Sequence, residues 1–205
     1  MDVAHDLVGA QIVADAGSAD EVRACIVEVE AYLGQEDPAS HAFRGPTPRA
    51  SIMFGQAGHL YVYLSYGMHH CANVVCGPDG AAAAVLLRAA TVTRGKAVVR
   101  ARRGPAATSE RLLSGPGNLC RGLAIAGGDN GADLCRPGRL HLEARSGEAP
   151  VSSGPRVGIA RAAALPLRFW WTGHPAVSRA PRTRKGTGAE AGPRSSADLS
   201  RPPGG

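Results

Sequence analysis

The chain has 205 residues, of which 44% are hydrophobic, and its formal net charge is +6. The segment from Arg179 onward holds six Lys/Arg and two Asp/Glu, so only +2 remains on the rest, and charge alone does not indicate nucleic-acid binding. No apolar run approaches the roughly 20 residues that span a bilayer, and the acidic start MDVAHDLVGA lacks the apolar stretch of a signal peptide, so we expect a cytoplasmic protein (nucleoid-associated if bacterial) without a membrane partner.

The first predicted elements are a helix and two strands. Residues 2–9 are typical of a short helix with Asp2 as N-cap. Residues 11–15 and 22–33 predict strands, because apolar residues alternate there between turn-forming segments.

A long irregular segment follows over residues 34–58, which is rich in Pro and Gly. A loop of this length inside a compact domain is usually functional or disordered. Its content of His41, Arg44, Arg49 and Met53 favours a functional loop.

Residues 59–65 and 69–76 predict a β-hairpin in which Tyr66-Gly67 forms the tight turn. A bulky aromatic residue at such a tip is placed to protrude. The next strand, over 82–90, contains Arg88 among small apolar neighbours. A lone arginine in such a run ends a strand or pairs with a buried carboxylate.

The remaining elements are helices over 94–102 and 108–125, with a break that puts Pro116 in a first helical turn, and strands over 140–145 and 167–172. Together the elements predict an α+β fold: a single domain with a curled, mostly antiparallel β-sheet, flanking helices and long loops.

Composition divides the chain into two parts. Residues 1–178 are long enough for one domain. Residues 179–205 are rich in Pro, Gly, Ser and Arg and lack hydrophobic periodicity, so we expect a disordered basic tail.

The cysteines show no CxxC spacing and lie mostly in apolar runs, which favours reduced core thiols. One cluster has metal-binding residue types, but its spacing matches no common zinc pattern, so we expect no metal. Its members are His69, His70, Cys71 and Cys76.

The stretch VEVEAYLGQEDPASH, residues 27–41, is the most informative segment. A strand of period two places Glu28, Glu30 and Tyr32 on one face and apolar residues on the other. Two carboxylates and a phenol in register form either a wet surface or a site. The loop that follows delivers His41, which favours a site.

A planar substrate could bind where these residues converge, since a carboxylate can deprotonate water and flat rings can sandwich a flat ligand. An arginine nearby would favour the charged carboxylate. The alternative is an ordinary aromatic core with surface carboxylates, and residue types alone leave both open. The candidates are Glu30, Tyr32, His41, Tyr61, Tyr63 and Arg88.

Several blocks, in order and covering nearly all of residues 7–178, resemble the 3-methyladenine DNA glycosylases of the alkyladenine (alkylpurine) type. The blocks are VEVEAYLGQEDPASH, TPRASIMFGQAGHLYVYLSYGMHHCANVVC, AAVLLRAA, SGPGNLCRGLAI, GPRVG and PLRFWWTGHP. The resemblance implies excision of damaged purines such as 3-methyladenine and 7-methylguanine from double-stranded DNA in base excision repair. It also implies a monomer without a cofactor, with residues 1–178 as the catalytic domain.

The resemblance implies roles for eight residues. Glu30 would be the general base that activates the attacking water, and Arg88 and the backbone carbonyl of Val157 would help to hold that water. The other roles are a base-binding pocket of Tyr32, His41, Tyr63 and Asn73, and a DNA-intercalating wedge, Tyr66.

For several other residues a structural interpretation stands beside the functional one. Tyr61 is expected in the core or behind the pocket wall, and Glu28 is expected as a structural partner of an arginine. His69 and His70 could touch DNA or end the turn. Four arginines are either phosphate contacts or solvated charges: Arg44, Arg49, Arg100 and Arg121.

The chain has two lysines, Lys96 in a predicted surface helix and Lys185 in the tail. A glycosylase that also cleaves the strand needs an amine nucleophile, so we expect a monofunctional enzyme that uses water. The competing hypotheses are a non-catalytic damaged-DNA-binding module on the same fold and a small-molecule hydrolase or transferase.

Overall fold

The computed structural model describes residues 1–178, which form a curled antiparallel sheet of nine strands with three α-helices. The prediction of a disordered tail falls on residues outside the described part. In chain order the elements are α1 (Asp2–Leu7), β1 (Gln11–Ala14), β2 (Val22–Tyr32), β3 (Leu60–Ser65), β4 (His69–Val75), β5 (Ala84–Arg94), α2 (Lys96–Arg103), β6 (Leu113–Ser114), α3 (Pro116–Gly122), β7 (Leu140–Glu143), β8 (Val151–Gly154) and β9 (Arg168–Trp171).

The sheet confirms the predicted fold class. Its main path is β3-β4-β5-β2-β1-β7, with β6 paired to β5, β9 to β2 and β8 to β9, and every pairing is antiparallel. The two longest strands, β2 and β5, have 11 residues each and lie side by side at its centre.

Both faces of β2 are covered. Ile26 and Val29 belong to the main hydrophobic core, while Glu28 and Glu30 also have no exposed surface. The interpretation of this strand as a wet surface is therefore wrong.

The pairing of β2 with β5 contains three irregularities, and two of them lie on either side of Glu28. Ile26 lies opposite Ala90 and Glu28 opposite Ala89, so Val27 is an extra residue on β2. Val29 then lies opposite Leu87, so Arg88 is an extra residue on β5. Extra residues of this kind are β-bulges, which redirect side chains and are frequent next to active sites.

The predicted helix over 108–125 is wrong as one element. Its first half is a 3-10 helix (Ser109–Arg111) and the short strand β6, and Gly115 then turns the chain with φ +95°. α3 begins at Pro116, as the predicted break required. The start of the chain also differs, since Met1 rather than Asp2 occupies the N-cap of α1.

The sequence analysis missed β8, whose residues VSSG show little alternation and which forms through its pairing with β9. The cysteines are all free, but Cys135 is exposed, so its assignment to the core is wrong. No helix within residues 1–178 combines the length and apolarity needed to cross a membrane.

Candidate active site

A cavity of ≈ 610 Å³ opens beside β2 at the end of the β3–β4 hairpin. It brings together the predicted residues of the base pocket, the water site and the wedge. Those residues are Glu30, Tyr32, His41, Tyr63, Tyr66, Asn73, Arg88 and Val157.

Glu30 is held by three donors. Its Oε1 accepts a hydrogen bond from the Val157 backbone N–H at 2.7 Å and lies 3.3 Å from Arg88 Nη1. Its Oε2 accepts one from the Tyr32 hydroxyl at 3.0 Å. The contact seen for Val157 is through its N–H, whereas the sequence resemblance pointed to its carbonyl.

Tyr32 remains a hydrogen-bond donor at neutral pH. Burial and the neighbouring Glu30 carboxylate raise the pKa of Tyr32 well above its ordinary value of 10.0. The Arg156 guanidinium stacks on the Tyr32 ring, 4.6 Å from its centre, and does not itself line the cavity.

A buried ion pair supports Tyr32 from behind. The side chains of Asp37 and Arg156 have no exposed surface. Arg156 binds Asp37 through both terminal nitrogens, with Nη2 to Oδ1 at 2.8 Å, and Nη1 also donates to the Ala31 carbonyl. Burial alone would raise the pKa of Asp37, but the hydrogen bonds from Arg156 and the Ala39 N–H outweigh it and lower that pKa.

The Asp37–Arg156 pair was not found from the sequence, although Asp37 lies in DPASH and Arg156 in GPRVG. It joins the loop that carries His41 to the residue that precedes Val157, and both loops reach the cavity.

An aromatic cluster forms another part of the lining. His41 Nδ1 lies 2.9 Å from the Tyr61 hydroxyl, and the His41 ring meets Tyr63 edge-on with 4.6 Å between centroids. Burial and the Arg49 charge lower the pKa of His41, so its imidazole is neutral at pH 7. Tyr61 is buried, as predicted for a core residue, but it also lines the cavity rather than lying behind its wall.

Asn73 is buried on β4 and lines the cavity. Its Nδ2 donates to the Tyr61 carbonyl at 3.1 Å, which fixes the orientation of the amide. His69, by contrast, is exposed at the start of β4 and lies against Gly117 of α3. A Cβ added at Gly117 would lie only 3.0 Å from the His69 imidazole.

Tyr66 lies at the hairpin tip, where the sequence places it, and is 90% exposed. Tyr66 and Gly67 have φ of 49° and 68°, and the Met68 N–H donates to the Ser65 carbonyl. The bond closes a turn within the three-residue loop between β3 and β4, and positive φ at both central residues is typical of a type I′ turn, which favours Asn-Gly. A bulky aromatic residue is strained in this conformation, and such strain is found at functional sites.

The four predicted phosphate contacts differ in position. Arg49 lines the cavity, with its guanidinium 4.9 Å from the Tyr63 ring centre. Arg44 is exposed on the same loop. Arg100 donates to the Ala107 carbonyl and the Ser109 hydroxyl, and Arg121 donates to the Arg102 carbonyl. Neither of the last two lines the cavity formed by the described residues.

Sequence reasoning also missed Leu86 and Ile159, which line the cavity. Leu86 could have been found, since it lies two residues before Arg88 on the same strand and period two puts both on one face. The whole arrangement suits hydrolysis: the Glu30 carboxyl group lines a cavity with aromatic walls that could hold a flat ring.

The sequence profile of the family described as "Methylpurine-DNA glycosylase (MPG)" matches residues 1–175. Similar curated proteins carry the name "Putative 3-methyladenine DNA glycosylase". One from Mycobacterium sp. (strain KMS) is 49% identical over 170 residues, 78% of this chain and 83% of the relative. One from Mycobacterium tuberculosis (strain ATCC 25618 / H37Rv) is 49% identical over 183 residues, 85% of this chain and 86% of the relative. One from Nocardia farcinica (strain IFM 10152) is 50% identical over 177 residues, 82% of this chain and 84% of the relative.

Proposed function

Since this chain belongs to the methylpurine-DNA glycosylase family and is thereby a DNA-repair hydrolase of N-glycosyl bonds, we propose that it flips alkylated purines out of duplex DNA and removes them. Its substrates are 3-methyladenine and 7-methylguanine, its product is an abasic site, and residues 1–178 act as a monomeric catalytic domain. The enzyme works in base excision repair.

The observation that carries this proposal is the environment of Glu30. Its side chain has no exposed surface in the free protein, yet it lines a cavity large enough for a purine. The Val157 N–H, Arg88 and the Tyr32 hydroxyl surround this carboxyl group. In the proposed reaction it is the group that accepts a proton from water.

In the proposed reaction, Glu30 removes a proton from a water molecule, and the water oxygen forms a bond to C1′ of the deoxyribose. The C1′–N bond breaks, and its electron pair leaves with the base. Arg88 and the Val157 carbonyl hold the water against Glu30. Alkylation at N3 or N7 gives the purine a positive charge, which makes it a better leaving group.

Base recognition is assigned to the aromatic walls. A cationic purine is attracted to aromatic faces, so Tyr32 stacks on one side of it, with His41 and Tyr63 on the other. The orientation of the buried Asn73 amide is fixed by its bond to Tyr61. An amide fixed there crowds the 2-amino group of guanine and disfavours the undamaged base.

Flipping requires a substitute for the lost stacking, since extrusion of a base costs a few kcal/mol. Tyr66 provides it by entering the gap in the duplex, as inserted side chains do in other proteins. Arg49 is the favoured phosphate contact among the four arginines because it is the one of them that lines the cavity formed by the described residues.

Water is the nucleophile in this proposal. Lys96 is exposed at the first position of α2 and does not line the cavity. Lys185 lies outside the described residues. Without a placed amine, no Schiff base forms and the DNA strand stays intact.

The test is incubation of the protein with duplex DNA treated with a methylating agent, followed by chromatography of the released bases. We expect free 3-methyladenine and 7-methylguanine and no adduct on treatment with borohydride. Binding without release would favour the damaged-DNA-binding module. Hydrolysis of free nucleosides without a need for duplex would favour the small-molecule hydrolase. A borohydride-trapped adduct would contradict the water mechanism.

A further inference from the structure

A second buried carboxylate lies behind the proposed active site. Glu28 is two residues before Glu30 on β2, has no exposed surface and does not line the cavity. Its Oε1 accepts hydrogen bonds from Arg88 Nε at 3.1 Å and from Arg168 Nε at 2.7 Å. A buried charge is tolerated when it is paired and its lone pairs are satisfied. The chemistry proposed above makes no use of this carboxylate.

Ser178 completes the set of donors around Glu28. Its backbone N–H donates to Oε2 at 2.6 Å, and its hydroxyl donates to Oε1 at 2.8 Å. The Ser178 carbonyl in turn accepts a hydrogen bond from Arg168 Nη2 at 2.9 Å. The end of the described chain is thus fixed to a strand 150 residues away in sequence.

Arg88 connects this cluster to Glu30, since each guanidinium nitrogen has a different partner. Nε donates to Glu28, Nη2 donates to the Ser178 hydroxyl at 3.2 Å, and Nη1 lies 3.3 Å from Glu30 Oε1. A guanidinium is planar and rigid. When two of its nitrogens are fixed, the direction of the third is fixed as well.

The backbone pairing of Arg88 does not fix the direction of its guanidinium. Arg88 is the extra residue of the bulge in β5 and has no partner in the pairing with β2. A bulge redirects a side chain but does not lock its far end. The cluster of Glu28, Arg168 and Ser178 therefore determines where the guanidinium points.

We infer that Glu28 and Ser178 are positioning residues for the excision reaction: they hold Arg88 so that Nη1 faces Glu30 and the water that it activates. This inference rests on the proposed function. It makes the junction between residues 1–178 and the segment that follows a part of the catalytic machinery, although that junction lies outside the cavity.

The experiment uses the full chain with Ser178→Ala, which removes the hydroxyl and keeps the backbone N–H bond to Glu28. The excision rate is measured in single turnover at saturating enzyme, together with the dissociation constant for duplex DNA carrying an abasic-site analogue and the melting temperature. The matched control is Ser153→Ala, an exposed serine of β8 whose hydroxyl has no bond among the described residues. Ser178→Thr restores the hydroxyl.

We expect Ser178→Ala, which removes the hydroxyl's hydrogen bonds with both Glu28 and Arg88, to lower the single-turnover rate about tenfold or more. The DNA dissociation constant should stay within about twofold, Ser153→Ala should match the parent, and Ser178→Thr should recover most of the rate. A purely structural serine would lower the melting temperature without changing the rate of the folded enzyme.

Two results overturn the inference, and they are distinguishable. If the parent releases methylated bases and Ser178→Ala releases them equally fast, only the positioning role fails. If the parent releases no base at all, the proposed function fails and this inference fails with it.

Discussion

The cavity floor (Glu30, Tyr32, Arg88 and Val157) and the hairpin tip (residues 64–68) are stabilised in opposite ways. The side chains of Glu30, Tyr32 and Arg88 all have partners inside the protein, and Glu30 alone has three. At the tip, Leu64, Tyr66 and Met68 are 47%, 90% and 70% exposed, and Tyr66 has a strained positive φ.

The difference agrees with the roles proposed for the two regions, catalysis in the floor and insertion into DNA at the tip. A group that stabilises developing charge must be oriented before the substrate arrives, because reorientation during the reaction costs free energy. A wedge makes its contacts only with DNA, so contacts within the free protein would compete with its function. Substitutions in the floor should therefore reduce both excision and the free energy of unfolding. Substitutions at the tip should reduce excision without reducing the free energy of unfolding.

The largest expected effect is at the centre of the floor. Glu30→Gln keeps the shape of the side chain but removes its ability to accept a proton, and general-base catalysis contributes about 10²- to 10⁴-fold. We expect release of 3-methyladenine to fall by at least about a hundredfold while binding to lesion DNA is kept. The control is Glu143→Gln on β7, which removes a carboxylate paired with Arg23 outside the cavity. Unchanged excision by Glu30→Gln would remove Glu30 from its role.

The second effect tests the coupling of stability and function. Asp37→Asn leaves the Arg156 guanidinium buried without its countercharge, and breaking a buried pair costs about 3 kcal/mol or more. We expect a loss of this size in the free energy of unfolding measured with urea, together with slower excision, because Tyr32 and Val157 lose their support. Asp15→Asn is the matched control. Asp15 is likewise paired with arginine, in its case with both Arg102 and Arg139, but its side chain is 19% exposed. Equal losses of unfolding free energy in the two variants would contradict the conclusion that burial makes the Asp37–Arg156 pair costly to break.

The same pair predicts a dependence on pH. The folded-state pKa of Asp37 is lowered below its ordinary value of 3.8, because the hydrogen bonds from Arg156 and Ala39 outweigh the cost of burial. A lowered pKa means that the stabilisation is present above the unfolded-state value, about 3.9, and is lost as the pH falls through the folded value. The difference in unfolding free energy between parent and Asp37→Asn should be constant from pH 5 to 7 and shrink below about pH 4.

At the tip we expect a substitution to reduce excision without a loss of stability. Tyr66→Ala removes a side chain that is 90% exposed, so the melting temperature should hardly change. Stacking of an aromatic side chain on a base contributes about 1–3 kcal/mol, so excision from duplex DNA at subsaturating enzyme should fall about tenfold. The comparison is Val3→Ala on α1, another exposed apolar residue, which should excise normally. Equal excision by Tyr66→Ala and the parent would exclude the wedge.

Local features of the chain were predictable from its sequence. The bounds of β2 agree within one residue with the prediction from alternation, and the turn at Tyr66-Gly67 was found because glycine favours tight turns. These features depend on residues that are neighbours in sequence. The convergence of the site residues followed from the family resemblance, since spacing alone left an ordinary aromatic core as an alternative.

The partners of the floor were not predictable, because they are distant in sequence. Glu30 meets Val157 across 127 residues, and Arg156 meets Asp37 across 119. Period-two alternation reports only which side of a strand a residue faces, so it left open whether the face of β2 with Glu28 and Glu30 is exposed, whereas later segments cover it. The bulge at Arg88 was also hidden, because it depends on pairing between two strands rather than on either strand alone.

The smallest predicted effect is a gain in stability at the tip. Tyr66→Asn creates Asn-Gly, the dipeptide that type I′ turns prefer, and asparagine tolerates the φ of 49° that strains tyrosine. We expect the free energy of unfolding to rise by about 0.5–1 kcal/mol, which is part of the cost of a non-glycine residue in this conformation. Excision should fall as in Tyr66→Ala. Met68→Asn is the control, since Met68 has no positive φ and should gain nothing. A stability gain combined with lost excision would show that the strained tyrosine is kept for its contact with DNA, whereas a loss of stability would mean that the tyrosine side chain contributes to the fold.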